Sequence, residues 1–152
     1  MVARSGLLAL LLFVHGWAIA AIHEGFHLLV AKSFGYSGVI SLSWVGEGTF
    51  TSSMPIGLER TAMLAAGGLG TATLYALLYW AARCDLRVTL EAIDDCAVLL
   101  FLAMQQILYT PLDMLGWWTN PYLLTLSFAG GGLVMLRVHG RVLFRWLFSQ
   151  AR

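Results

Sequence analysis

The chain has 152 residues, of which 59% are hydrophobic and only 11% charged, and its mean hydropathy is +0.78. A soluble domain carries roughly 45–50% apolar and about 25% charged residues, and one this small cannot hide such an excess from water. A disordered chain and a soluble nucleic-acid binder are excluded, and a net charge of +1 makes no case for an acidic partner. The expected solvent is lipid.

Four apolar runs follow one another, at about residues 6–31, 58–82, 92–110 and 122–138. Each has a length suited to crossing a bilayer, where a helix needs about 20 mostly apolar residues. None alternates with the period of two that marks a barrel strand, so the backbone must satisfy itself as helix. The composition therefore predicts an all-α membrane protein with about four transmembrane helices, forming a single membrane domain over 1–152. At the N-terminus, Arg4, the apolar stretch 7–14 and Ala18, Ala20 and Ala21 resemble a cleavable signal peptide. Apolar residues continue to Val30, however, and a full span is the expected reading.

The connection 33–57 is rich in Gly, Ser and Thr. Within it, Val39 to Val45 has the β-branched and aromatic content of a strand, and Gly46-Glu47-Gly48 reads as a turn. A short β-hairpin or re-entrant segment is expected between the first two spans. The second connection, 83–95, is short and mixed in charge. Cys84 and Cys96, in or beside it, lack metal-site spacing and are read as two thiols. After the fourth span, the tail 139–152 carries Arg141 and Arg145 among Val142, Phe144, Trp146, Leu147 and Phe148, a cationic interfacial helix.

The first span carries His23-Glu24-Gly25-Phe26-His27, an H-E-x-x-H pattern. On a helix, positions i and i+4 share a face, so two imidazoles can grip one metal ion while the glutamate reaches a water held there. A lipid-facing helix has no structural use for these three residues, because ionisable groups in the bilayer are costly. A catalytic zinc site takes three protein ligands and one open position. Asp113 follows Pro111 at the end of the third span, and alternating topology brings that end to the same side as His27. Asp113 is the expected third ligand, with Glu47 or Glu59 as runner-up.

These residues resemble the site-2 protease family of intramembrane zinc metalloproteases. The stretch from His23 through Ala31-Lys32 to Gly35 is similar to that family's H-E-x-x-H helix and the glycine before its hairpin. Ala65-Ala66-Gly67-Gly68-Leu69-Gly70-Thr71 resembles an Ala-Gly-Pro-Leu-Ala-Asn helix start, with Gly68 for Pro and Thr71 for Asn. Pro111-Leu112-Asp113 resembles the Asn…Pro-x-x-Leu-Asp-Gly motif, with Met114 for Gly and Gln105 near the place of the Asn. The resemblance covers roughly residues 6–116 in the family's order. It implies a zinc metalloendopeptidase with one zinc per chain held by His23, His27 and Asp113. Glu24 would be the catalytic general base, with Thr71 and Gln105 in substrate binding. The implied substrate is a transmembrane protein, cut within the lipid bilayer of a prokaryotic cell membrane by a multi-pass enzyme. A non-catalytic relative that keeps the fold, and a metal-handling protein, are the alternatives.

Other residues carry weaker expectations. His15 is rotated away from the histidine pair and reads as a packing residue. His139 reads as interfacial, as do Trp117 and Trp118. Gln105 and Gln106 either line a cavity or bond between helices, and Gly67, Gly68 and Gly70 permit close helix contact. Four spans put all the lysines and arginines except Lys32 and Arg60 on one side, so the positive-inside rule places both termini in the cytoplasm. The family resemblance implies the reverse orientation.

Overall fold

The computed structural model describes residues 2–44, 47–85, 90–117 and 119–149, with side chains described for 16–44, 47–81, 96–117 and 119–140. Six elements follow in order: α1 (Val2–Ser33), β1 (Gly38–Leu42), β2 (Gly48–Ser52), α2 (Leu58–Asp85), α3 (Leu90–Met114) and α4 (Pro121–Ser149). Among the described residues, three segments are long and apolar enough to cross a membrane: Leu58–Ala81, Cys96–Met114 and Pro121–Gly140. The chain divides into two compact units, Met1–Thr71 and Ala72–Arg152.

In the first unit, α1 ends where glycine permits a reversal. Tyr36 N–H donates to Ala31 O and Gly35 N–H to Lys32 O, both at 3.0 Å, while Gly35 takes φ +83°. This pair of bonds satisfies the last carbonyls of the helix, and a side chain at Gly35 would oppose the left-handed turn. Tyr36 then packs on a small core of Ala31, Met54 and Met63, joined by Val30, Phe50 and Leu64.

The reversal sends the hairpin back along α1. β1 and β2 pair antiparallel, with Gly38 opposite Ser52 and Leu42 opposite Gly48. At its tip, Trp17 Nε1–H donates to Trp44 O at 3.1 Å. Trp17 lies 15 positions before Lys32, about 22 Å along the helix at 1.5 Å per residue, so the hairpin lies against α1 over that length. The strand expected to reach Val45 stops at Leu42. Ser43 N–H bonds Glu47 O at 2.8 Å and Glu47 N–H bonds Ser43 Oγ at 3.1 Å, which closes the turn. Val45 and Gly46 lie outside the described residues. Beyond the hairpin, Thr61 closes the first turn of α2 on Gly57 O, and Glu59 faces the positive end of the helix dipole.

In the second unit, α3 and α4 pack through glycine. A methyl on Gly131 would stand 3.0 Å from Phe101 O and 3.2 Å from Gln105 Cβ, and one on Gly130 would meet Leu108. Absent side chains there let two backbones approach closely. The third apolar run was expected to stop at Thr110, yet α3 continues through Pro111 to Met114. Pro111 forfeits one hydrogen bond, but it lies in the last turn, where little helix remains to be broken. Trp117 N–H to Leu112 O (2.7 Å) and Gly116 N–H to Asp113 O (3.1 Å), with φ +70° at Gly116, then end the helix as Gly35 ends α1. Asn120 Oδ1 accepts from Tyr122 N–H and Leu123 N–H and so caps α4, with Pro121 in the first helical position. The helix runs on through the expected cationic tail to Ser149. Tyr79 Oη and His139 Nε2 are 3.3 Å apart, which ties the expected interfacial histidine to α2. Cys96 is a buried thiol, and the side chains of Cys84 and His15 lie outside those described.

Candidate functional site

The i, i+4 spacing on α1 does what helical geometry requires. His23 and His27 project from one face with ring centroids 4.8 Å apart, edge to face. Glu24 joins them, and one ligand atom from each residue lies within 4.8 Å of the other two. All three are buried. Burying two imidazoles and a carboxylate is unfavourable unless they hold one another, a proton or a metal.

Three neighbouring features shape the cluster. His27 Nδ1 lies 2.7 Å from Met63 O. A carbonyl only accepts, so Nδ1 carries the hydrogen and the neutral ring presents its lone pair at Nε2. That arrangement, with one ring nitrogen tied to a carbonyl and the other turned to the site, is the usual orientation of a metal-binding histidine. Phe50 of β2 stacks on His27 at 6.0 Å and 21°, which fixes the ring plane. On α2, a methyl at Gly67 would collide with Nε2 of both His23 and His27, so the two nitrogens converge on bare backbone.

Met63, Gly67 and Thr71 lie four residues apart and share one face of α2. The first anchors His27 and the second receives both imidazoles. Thr71 is 1% exposed, and its Oγ1 has no hydrogen-bond partner among the described residues. A buried hydroxyl without a partner is rare enough to mark a place for a water or a ligand. Gly70, beside this face, takes the ring of Phe26 against its backbone. Close packing was the expectation for these glycines, and what packs on them is the motif helix itself.

The hairpin supplies the remaining wall. A methyl at Gly48 would lie 2.7 Å from Glu24 Cγ and 3.0 Å from its Oε1, so β2 begins directly over the carboxylate. The cluster suits a borderline divalent metal: two imidazoles converge as donors, with the Glu24 carboxylate close beside them, all screened from water. Ligand atoms around a tetrahedral metal stand about 3.4 Å apart for bonds near 2.1 Å. The group lies within 4.8 Å in all, so small side-chain movements would close it on an ion.

Asp113 belongs to the second unit, partly buried in the last turn of α3. Gln105 belongs there too, buried and donating through Nε2 to Ser127 Oγ at 3.4 Å. Gln106 Nε2–H donates to Gln105 Oε1 within α3 at 2.9 Å, so of the two readings the bond between helices is seen for Gln105, through Ser127. Glu47 and Glu59 are exposed and stand outside the His23–Glu24–His27 group. Sequence reasoning missed Met63 and Gly48 as parts of the site. A main-chain carbonyl and a missing side chain leave no chemical signature in a sequence. No family model, curated protein or solved structure matches this chain.

Proposed function

We propose that this chain is an intramembrane zinc metalloendopeptidase of the site-2 protease type. His23, His27 and Asp113 would hold the metal, and Glu24 would act as general base. The observation that carries the proposal is the buried convergence of His23, Glu24 and His27, with Met63 O directing His27 Nε2 into the cluster.

The membrane setting rests on four helices and their apolar runs. α1 has 32 residues and a length of about 48 Å, enough to cross a hydrocarbon core of about 30 Å. We propose a multi-pass protein of a prokaryotic cell membrane, and the three other apolar segments support the membrane part of that reading. His27 and His23 precede Lys32 by five and nine positions, about 8 and 14 Å along the axis, so with Lys32 at the lipid surface the cluster would lie below it. The substrate proposed is accordingly a membrane-spanning protein.

When bound, zinc supplies a Lewis acid that makes water acidic near neutrality and polarises the scissile carbonyl. Glu24 takes a proton from the attacking water as its oxygen bonds to the carbonyl carbon. The same carboxyl then passes that proton to the amide nitrogen as the C–N bond breaks, leaving a carboxylic acid and an amine. Thr71 Oγ1 would bond the substrate backbone, a reading that its buried hydroxyl without a partner among the described residues supports, and Gln105 is proposed for the same role. The hairpin offers a strand edge to an unwound substrate. Ser43 N–H is paired across the hairpin, so the alternation of antiparallel bonds turns the N–H groups of Ile40 and Leu42 outward. An extended peptide can add to that edge.

The test is hydrolysis of a single-span fluorogenic peptide by the detergent-solubilised full chain, wild type against Glu24→Gln. Loss of about 10²–10⁴-fold in kcat with zinc content unchanged is expected for removal of a general base. Wild type that holds zinc and cuts nothing would leave a metal-bearing scaffold instead.

A further inference from the structure

We infer that Gly48 is a positioning residue for the Glu24 carboxylate, and that this role is separable from metal binding. The inference rests on the hydrolytic role proposed above for Glu24.

β2 meets α1 through the face that alternates Gly48, Phe50 and Ser52, each half-buried, while Thr49 and Thr51 face outward. Phe50 stacks on His27. Two residues earlier, in the same pleat, Gly48 covers Glu24. A methyl added there would lie 2.7 Å from Glu24 Cγ, 3.0 Å from Oε1 and 3.3 Å from Ala20 O. Ala20 O cannot yield, because it is the helical acceptor of the Glu24 N–H four residues on. The glutamate side chain must therefore move. Conversely, the bare backbone over Cγ excludes the rotamers that would carry the carboxylate away toward the hairpin.

The effect of a side chain here is steric alone. Gly48 is not among the residues with positive φ, whereas Gly35 and Gly116 are, so alanine at 48 meets no backbone strain. Gly67 provides the contrast. Its missing side chain makes room for Nε2 of both imidazoles and is distant in sequence from the base. Two glycines thus wall two halves of one site, β2 behind the base and α2 behind the metal pair.

Alanine substitutions in the full chain separate these roles, read by zinc per chain, zinc affinity, and kcat and KM on the single-span peptide. Gly48→Ala should hold one zinc at wild-type affinity while kcat falls about 10²-fold or more, within the range that a general base contributes. Its KM should stay within about threefold, since the peptide-binding surfaces are untouched. Gly67→Ala should instead weaken zinc by about tenfold or more, as misplaced ligands do. Gly16→Ala, on α1 with open space around it, should change neither. Retained zinc reports that Gly48→Ala is folded. In a Glu24→Gln background, where the base is already absent, Gly48→Ala should cost less than about threefold, a coupling that a remote structural effect would not produce. Gly48→Ala with wild-type kcat, with zinc lost alongside activity, or with an undiminished penalty in the Glu24→Gln background overturns the inference. A wild type without zinc or cleavage removes the proposed function itself, whereas an active wild type beside an equally active Gly48→Ala removes only this inference.

Discussion

Both units bury polar side chains among apolar helices, and they satisfy them in opposite ways. Between α3 and α4, Gln106 donates to Gln105, Gln105 to Ser127, and Ser127 Oγ to Leu124 O at 2.8 Å. Thr110 Oγ1 donates to Gln106 O at 2.9 Å. Donors and acceptors close on one another, which is how polar groups join helices in an apolar solvent. In the first unit, His23, Glu24 and His27 converge instead. One main-chain carbonyl orients an imidazole, and one hydroxyl nearby, that of Thr71, has no partner among the described residues. Burial of polar groups is common to both regions. The direction in which they point separates a packing network from a cluster close enough to hold a metal ion.

Perturbing each region should therefore act on a different quantity. Ile40→Pro removes an outward N–H from the hairpin edge without removing a ladder bond, the position where an edge strand tolerates proline. Cleavage of the single-span peptide should fall by about fivefold, with zinc content unchanged, since one main-chain hydrogen bond to a substrate is worth roughly 1 kcal/mol. Full activity would show that the substrate does not pair with β1. Ser127→Ala, in the other region, should lower stability in a detergent-unfolding assay by about 0.6 kcal/mol, the average for a polar contact between membrane helices. It should leave zinc and turnover as they were. A loss of zinc on Ser127→Ala would mean that the second network serves the metal, and the contrast between the units would fail.

The fold was largely legible because long apolar helices announce themselves by run length. The runs at 58–82 and 122–138 sit inside α2 and α4. The hairpin was legible through β-branched residues before Gly46-Glu47-Gly48. Boundaries were less so. The third apolar run ended at Thr110, but a proline in the last turn costs little, and the stop is made six residues later by Gly116. Trp44 has a strand-forming side chain, yet the strand stops at Leu42, where Ser43 pairs with Glu47 to close the turn.

The site was legible where covalent spacing determines geometry. His23, Glu24 and His27 are brought together by one helical turn, which a sequence states outright. Met63 contributes through its carbonyl, and Gly48 and Gly67 contribute through absence, each depending on an approach between elements that no local pattern encodes. Gly67 was visible only as a packing glycine. Asp113 was reached by counting spans and by resemblance, and neither is a statement about distance.

Zinc binding tests the central claim most directly. Elemental analysis of the detergent-purified full chain should give about one zinc per chain for wild type, held as a three-ligand catalytic site holds it. Asp113→Ala should lose most of it, and His27→Ala essentially all. A wild type that takes up no zinc after reconstitution would contradict the metal site on α1. Zinc retained in full by Asp113→Ala would keep that site and remove Asp113 from it.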